Sequence, residues 1–478
     1  MTRVLLVNPP SPEALGAPLL GQQYVAAALV AAGVEVRVVD AAARFCHDGA
    51  AAVAEAVDAF APDVVGVGLF TRWVWHAYRM VDVLRTRFGR ASPLLVAGGA
   101  HATVRPEETL ARGFDVAVVG EAEETIVELV EHVRAGRPFD GVAGIRYRAP
   151  DGTVRATAPR GFVADLDALP LPQLAQPLYD TRWYSTTARE IIPGGMLASR
   201  GCPARCTFCA NYVTGRGFRY RAPARVVAEL NAYHRRTGAV FFPFWDDALT
   251  ANRPHLLRLC DALARDVEFP LAWSAITRAS MVTPEVLRAM RRAGCVSVNF
   301  GVESGDDAIL KAIRKGITTA SVERALAWAK AEGLHTACNF MLGFPEETPA
   351  HVERTLAFMR RIASRVDTFS TLGVVVPFPA TPLYEAHHAR FGFTDWWLDA
   401  RYARYDPPPP VTDAARWRRH YVDDAALDLD FFRYSDAMRA AIRAALRFKG
   451  EHNLRRSRRA SGASQRAATS FRRVHECA

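Results

Sequence analysis

Short apolar runs alternate with amphipathic stretches along the first 140 residues. Residues 4–7, 64–68, 94–97 and 116–119 are apolar almost throughout, and residues 34–39 read as a further strand with Glu35 and Arg37 between valines. Residues 21–32, 51–60, 76–88 and 123–133 repeat their apolar positions at helical spacing. Strands that read as unbroken apolar runs are buried on both faces, so the pattern predicts an α/β domain built on a doubly wound parallel sheet. Ligands of such sheets sit beyond the carboxyl ends of the strands. Those ends carry Asn8-Pro9-Pro10, residues 68–75, Gly98-Gly99-Ala100-His101 and Gly120-Glu121-Ala122-Glu123. Their glycines let backbone approach a large ligand closely. No G-x-G-x-x-G run follows the first strand, which disfavours NAD or FAD.

The pattern changes near residue 141. An Asp151-Gly152 turn predicts a hairpin, and Leu169-Pro170-Leu171-Pro172 predicts an extended connection. From Gly195 strand and helix alternate again. Residues 196–199, 240–245, 271–276, 296–300, 336–342 and 371–376 read as strands; the far ends of the first five carry polar residues or glycine, and the last ends at Pro377-Phe378-Pro379. Repeated strand–helix units of this kind predict a partial (β/α) barrel of TIM type with its site on the C-terminal rim. The expected organisation is a first domain at 1–140, a linker at 141–185, a core at 186–395, a C-terminal region at 396–450 and a basic tail at 451–478.

Composition adds little to this picture until the charge is mapped. A chain of 478 residues holds two or three domains, and no apolar stretch is long enough for a transmembrane helix. The N-terminal apolar run is too short for a secretory signal. Cys46, Cys260, Cys295, Cys338 and Cys477 are scattered singly, the usage of a reduced cytoplasmic protein. Cys295 and Cys338 stand in strand-like runs and read as core residues. Half of the net charge of +10 comes from the tail, with seven arginines against two glutamates. The tail is expected to be disordered and solvated, which argues against nucleic acid as a partner.

The chemistry is concentrated in Gly201-Cys202-Pro203-Ala204-Arg205-Cys206-Thr207-Phe208-Cys209. Three thiolates on one C-x3-C-x2-C loop can hold three irons of a [4Fe–4S] cluster and leave the fourth iron open to a small molecule. Clusters that only carry electrons fill all four positions from the protein. A zinc site would use C-x2-C or C-x4-C pairs and a fourth ligand, and disulfides would strand one thiol.

This run resembles the signature of the radical SAM enzymes. In that family the open iron is chelated by the amino and carboxylate groups of S-adenosylmethionine, whose reductive cleavage gives a 5′-deoxyadenosyl radical. The resemblance implies that Phe208 stacks beside the adenine or shields the cluster and that Asp246 and Asp247 meet the methionine amino group. It further implies that Glu303 and Asn339 hold the ribose hydroxyls, and that Lys315 or Arg314 pairs with the methionine carboxylate. The first domain is similar to the cobalamin-binding, Rossmann-like half of the B12-dependent radical SAM class. That similarity implies cobalamin contacts at Thr71, Arg72, Trp73, Gly98, Gly99, His101, Gly120 and Glu121. Arg72, Trp73 or Trp75 would cover the lower face of cobalt, because the D-x-H-x-x-G motif that supplies a histidine there is absent.

The resemblance implies a C-methyltransferase. One S-adenosylmethionine would methylate cob(I)alamin, a second would start the radical, and an unactivated carbon of a small-molecule, natural-product intermediate would take the methyl group. An electron donor such as flavodoxin or ferredoxin would supply the electrons. A second enzyme reading keeps the cofactors and performs a cyclisation, rearrangement or oxidation. A third, RNA modification or binding through the basic tail, lacks the additional cysteine group that the RNA-modifying methylthiotransferases carry.

Overall fold

A computed structural model describes residues 2–11, 17–44, 49–180, 184, 195–370, 373–403 and 429–462, with 415, 418 and 419 as isolated positions. The apolar runs of the first domain form parallel strands β1 (Arg3–Asn8), β2 (Glu35–Asp40), β3 (Val64–Gly68), β4 (Leu94–Gly98) and β5 (Val116–Val118), lying side by side in the order β2-β1-β3-β4-β5. Burial on both faces explains the unbroken apolar reading: Leu5 and Val7 enter one core, Val4 and Leu6 the other. Gly66 is glycine because a side chain there would stand 2.9 Å from Leu6.

The sheet is larger than expected. Strands β6 (Ile145–Arg148) and β7 (Val154–Ala156) pair antiparallel along the β5 edge and extend it to seven strands. Residues 141–156 therefore belong to the first domain and not to a linker. The hairpin expected around Asp151-Gly152 is present, with Ala149 accepting from Gly152 and pairing with Thr153. The rest of the supposed linker is also packed. Val163, Leu166 and Leu169 are buried against Tyr24, and the 3-10 helix Pro172–Leu178 lies against the helix Leu20–Ala31.

Beyond it, β8 (Ser199–Arg200) and β9 (Arg219–Tyr220) pair antiparallel. Strands β10 (Phe241–Phe244), β11 (Ala272–Thr277), β12 (Cys295–Glu303), β13 (His335–Leu342) and β14 (Thr368–Phe369) form a parallel sheet in chain order, and β15 (Gly373–Val374) pairs with the far end of β13. Met196 adds a parallel bridge to Phe244. This is the expected open (β/α) barrel. Proline in the first turn and Thr283, Asn252 or Thr381 capping start several of its helices.

The C-terminal expectation needs the largest correction. Residues 451–462 continue a helix, Asp436–Gly462, rather than beginning a disordered tail. His452, Asn453 and Leu454 are buried, and the helix packs on the helix Pro349–Ile362 and on β14. Asn453 accepts from the Phe369 amide and donates to the Phe369 carbonyl, both at 3.0 Å. A face that is arginine-rich in sequence reads as solvated; tertiary contacts supply the burial. Residues 463–478, Cys46, Cys477 and the prolines at 407–410 lie outside the described residues.

Candidate functional site

The three cysteines lie on a loop closed at its base by β8 and β9. Gly201 opens it with φ +90°, and a side chain there would overlap the Gly217 carbonyl oxygen and stand 3.0 Å from its carbon. The Cys202 amide donates to the Gly215 carbonyl at 3.2 Å. Asp247 accepts from the Gly201 amide at 3.1 Å and from the Thr214 hydroxyl at 2.6 Å. Further on, the Thr207 amide donates to the Ile313 carbonyl at 3.0 Å, and its own carbonyl accepts from Leu383 at 2.9 Å. Loop and barrel rim are therefore one body.

Cys206 is buried, Cys202 half-buried and Cys209 exposed at its edge. Protein packed around the Cys209 sulfur, followed by the neighbouring thiols of Cys206 and Cys202, pushes that thiol up to about 11. Three thiols that repel one another as thiolates fit a positively charged group bound among them. Arg278, at the end of β11, donates to Cys206 Sγ at 3.1 Å. Among the described residues no three metal-binding side chains converge on one ion; a cube with one iron per thiolate does not require that they do.

The candidate S-adenosylmethionine residues gather on this rim, but two of them are already engaged. Asp246 is fully buried and accepts from the Ala198 amide at 3.1 Å and the Ser199 hydroxyl at 2.5 Å; burial raises its carboxyl to about 7. It holds the strand that precedes the loop, so of the expected acid pair only Asp247 reaches the loop itself. Glu303 has φ +74° at a register shift between β12 and β13, an irregularity that re-aims a side chain. Its carboxylate receives Lys315 Nζ at 2.7 Å. Gly301 leaves room for that pair, since a Cβ there would meet both side chains within 3 Å (2.8 and 2.9 Å). Phe208 lies 5.7 Å from Lys315 Nζ and 5.8 Å from the Phe344 ring. Asn339, next to Gly301 in the β12–β13 register, and Asn299 are half-buried on the strands' inner side. Asn299 Oδ1 is buried with no hydrogen-bond partner among the described residues.

At the carboxyl end of the parallel sheet lies a cavity of about 400 Å³. Gly68, Gly98 and Gly120 line it, and a Cβ at any of them would meet nothing within 4 Å, so each missing side chain widens the space. A largely apolar cleft floored by glycine backbone suits a bulky cofactor group. Leu197, Val213 and Thr214, which flank the cysteines, form the opposite wall. Gly98, Gly99, Gly120 and Glu121, the expected cobalamin contacts, line this cavity.

Thr71, Arg72, Trp73 and His101 are not on its wall. His101 is fully buried. Its Nδ1 lies 3.1 Å from Thr71 Oγ1, and its Nε2 lies 3.1 Å from the Tyr78 hydroxyl and 3.3 Å from Glu108. Trp397 in turn donates to Glu108 at 3.1 Å. Both ring nitrogens are used inside the protein. Tyr212 of the cysteine loop lies close to Thr71, and burial pushes its hydroxyl up to about 12. Trp73 packs edge-on to Phe70 at 5.7 Å, and Arg79 lies over Trp75 at 4.7 Å. Glu121 is also engaged by guanidiniums. It accepts from Arg200 at 2.9 Å and from Arg219 at 2.8 Å. Burial would raise its carboxyl, but these guanidiniums hold it below the usual range.

Arg200, Arg219 and Tyr212 were not anticipated. For the two arginines the one signal was charge beside the cysteine loop, facing glutamates at a distant strand end; Tyr212 carried none. Arg278 was visible as a polar residue at a barrel strand end.

Two family descriptions match the chain: "Radical SAM superfamily" over residues 196–359 and "B12 binding domain" over residues 16–130. An uncharacterized methyltransferase of Pyrococcus horikoshii is 31% identical over 393 residues, covering 80% of this chain and 82% of that protein. The anaerobic magnesium-protoporphyrin IX monomethyl ester cyclase of Rubrivivax gelatinosus is 29% identical over 318 residues, 64% of this chain and 56% of the cyclase. The fold is shared with the radical S-adenosylmethionine methyltransferase TsrM from Kitasatospora setae, solved with tryptophan and a SAM analogue. The TM-score is 0.64 at 22% identity, covering 80% of this chain and 75% of TsrM.

Proposed function

The chain belongs to the cobalamin-binding radical SAM methyltransferase family, with a [4Fe–4S] cluster, S-adenosylmethionine and cobalamin as its cofactors, and from that premise we propose that it methylates an unactivated carbon of a small-molecule, natural-product intermediate. One observation carries the reading. The loop that bears the three thiols also walls the glycine-floored cavity of the sheet domain, through Val213 and Thr214. Two cofactor sites thereby share one seam, and a small substrate between them is reached from both sides.

When bound, the cluster supplies an electron, S-adenosylmethionine a radical precursor and a methyl group, and cobalamin a methyl carrier. The residues do the positioning. Cys202, Cys206 and Cys209 take three irons, and Arg278 offsets thiolate charge at Cys206. Asp247 keeps the loop closed. Glu303 and Asn339 offer acceptors to a ribose diol, Lys315 a cation to a carboxylate, and Phe208 a flat face. Gly68, Gly98, Gly99 and Gly120 admit a cofactor against the backbone. The unpartnered Asn299 oxygen supports a ligand with a donor group inside the barrel. No helix among the described residues is long and apolar enough to cross a membrane. An electron donor such as flavodoxin or ferredoxin would reduce the cluster.

The cyclase relative favours a second reading, ring closure without methyl transfer. Anaerobic reconstitution with iron, sulfide and hydroxocobalamin, then incubation with methyl-deuterated S-adenosylmethionine, a reductant and a metabolite extract, separates the two. Methylation yields both S-adenosylhomocysteine and 5′-deoxyadenosine, together with a labelled product. Deoxyadenosine with no homocysteine product sinks the proposal in favour of the cyclase-like reading.

A further inference from the structure

We propose that Glu121, Arg200 and Arg219 form a clamp that fixes the sheet domain against the cysteine loop and so sets the separation of the two bound cofactors. Arg200 immediately precedes Gly201-Cys202, and Arg219 stands directly opposite it in the β8–β9 register. Two arginines facing each other on a two-stranded ribbon repel, and like charges so placed destabilise the pairing. This ribbon closes the cysteine loop, so its closure requires an anion.

The other domain supplies that anion. Glu121 Oε1 receives Arg200 Nη1 and Arg219 Nη2, each at 2.9 Å, and Glu121 Oε2 receives Arg219 Nη1 at 2.8 Å. Glu123 takes Arg200 Nη2 at 2.5 Å. The Val163 amide adds a bond to Glu121 at 2.7 Å, and the Val163 carbonyl accepts from Arg219 at 2.6 Å. Arg200 also lies over the Tyr24 ring at 4.9 Å. Exposure of the four charged side chains is 7% for Arg200, 14% for Arg219, 4% for Glu121 and 6% for Glu123.

Ion pairs buried this deeply add little net stability, because desolvation offsets their attraction; what they do impose is geometry, since each guanidinium must meet its carboxylate in one orientation. Glu121, Glu123 and Arg200 also line the sheet-domain cavity. The wall of one cofactor site and the base of the other are thus the same charge cluster. These are positioning residues, since none is argued to touch a reacting atom. The clamp is independent of which substrate the enzyme uses.

The test needs no substrate. The full chain is reconstituted with iron, sulfide and cobalamin, both centres are made paramagnetic as cob(II)alamin and the reduced cluster, and the magnetic coupling between them is read by electron paramagnetic resonance. The wild-type protein is expected to give one well-defined coupling. Glu121→Gln leaves the two arginines without their shared charge. Glu121 lines the cavity, so cobalamin content is measured first; in protein that carries both cofactors the coupling is expected to weaken or spread by at least about twofold, because small displacements change the relation of docked groups steeply. Arg219→Gln should act in the same direction, and Arg219→Lys should recover part of the effect. An unaltered coupling in Glu121→Gln with both cofactors present overturns the clamp, as does a wild-type protein with no defined coupling. If Glu121→Gln does not fold or does not hold cobalamin, Arg219→Gln, which lies off the cavity wall and leaves Arg200 with both carboxylates, decides by the same criterion.

Discussion

Replacing Gly201 by alanine tests whether the cysteine loop is held by backbone geometry. The residue sits at φ +90°, a region that costs an L-residue about 1–2 kcal/mol. The added methyl would also overlap the Gly217 carbonyl, standing 3.0 Å from its carbon and 3.3 Å from the Gly215 oxygen. Relief requires the two arms of the loop to separate, an overpacking cost of about 1–3 kcal/mol. The combined penalty, about 2–5 kcal/mol, is below the total stability of an ordinary domain. The loop should therefore yield while the barrel survives. Gly217→Ala is the internal control. It lies in the same loop without a positive φ and with nothing within 4 Å of its would-be Cβ, so it should change stability by no more than about 0.5 kcal/mol. After anaerobic reconstitution, iron and sulfide content and the visible absorption of the cluster are measured alongside circular dichroism. Gly201→Ala is expected to keep its secondary structure and lose most of its iron, while Gly217→Ala keeps both. Full iron content in Gly201→Ala refutes the reasoning.

Three further substitutions probe the surroundings. Arg278→Met removes the donor to Cys206 Sγ and should lower the reduction potential of the cluster, since hydrogen bonds to cluster sulfur favour the reduced state; a redox titration followed by electron paramagnetic resonance reads it, and an unmoved potential dismisses the role. Tyr434→Phe removes the bond from its hydroxyl to the Gly343 carbonyl at 2.8 Å and should cost about 1–3 kcal/mol by denaturant titration, because that carbonyl is left unpaired. Glu347 accepts from the Gly343 and Phe344 amides at 2.6 and 3.1 Å, yet burial raises its carboxyl to about 7. That value is above the unfolded one of about 4.3, so its contribution to stability is complete below pH of about 4 and is lost as the pH rises through the folded value. Glu347→Gln should flatten that part of the melting temperature against pH, and an unchanged curve would falsify the assignment.

Much of the architecture was legible because most strands of the two large sheets are parallel. Strands buried on two faces announce themselves as apolar runs, and β3 falls on the predicted residues. The β6–β7 hairpin was legible as a hairpin but not as part of the sheet: Val154–Ala156 is wholly exposed, so no apolar face advertises its pairing. The cysteine triplet was legible because three ligands share nine residues. The partners of His101 and Glu121 were not legible, because most of them are remote in sequence. Glu108 answers to Trp397, and Glu121 to Arg200 and Arg219, and no local pattern records such meetings. The same holds for the last helix, whose buried positions are chosen by β14 and not by its own periodicity.

Asn453 gives that helix a second meaning. The amide and carbonyl of Phe369, which a further strand would seize, are both taken by its carboxamide. The barrel ends there on a side chain that imitates one residue of a neighbouring strand. A chain trimmed before Phe448 would present a bare β-edge, with the ring of Phe369 stripped of its cover by Phe448 and His452. Unpaired edges of this sort recruit other chains. Shortened versions of the protein should therefore fail by self-association into soluble oligomers or aggregates, with the cysteine loop itself untouched.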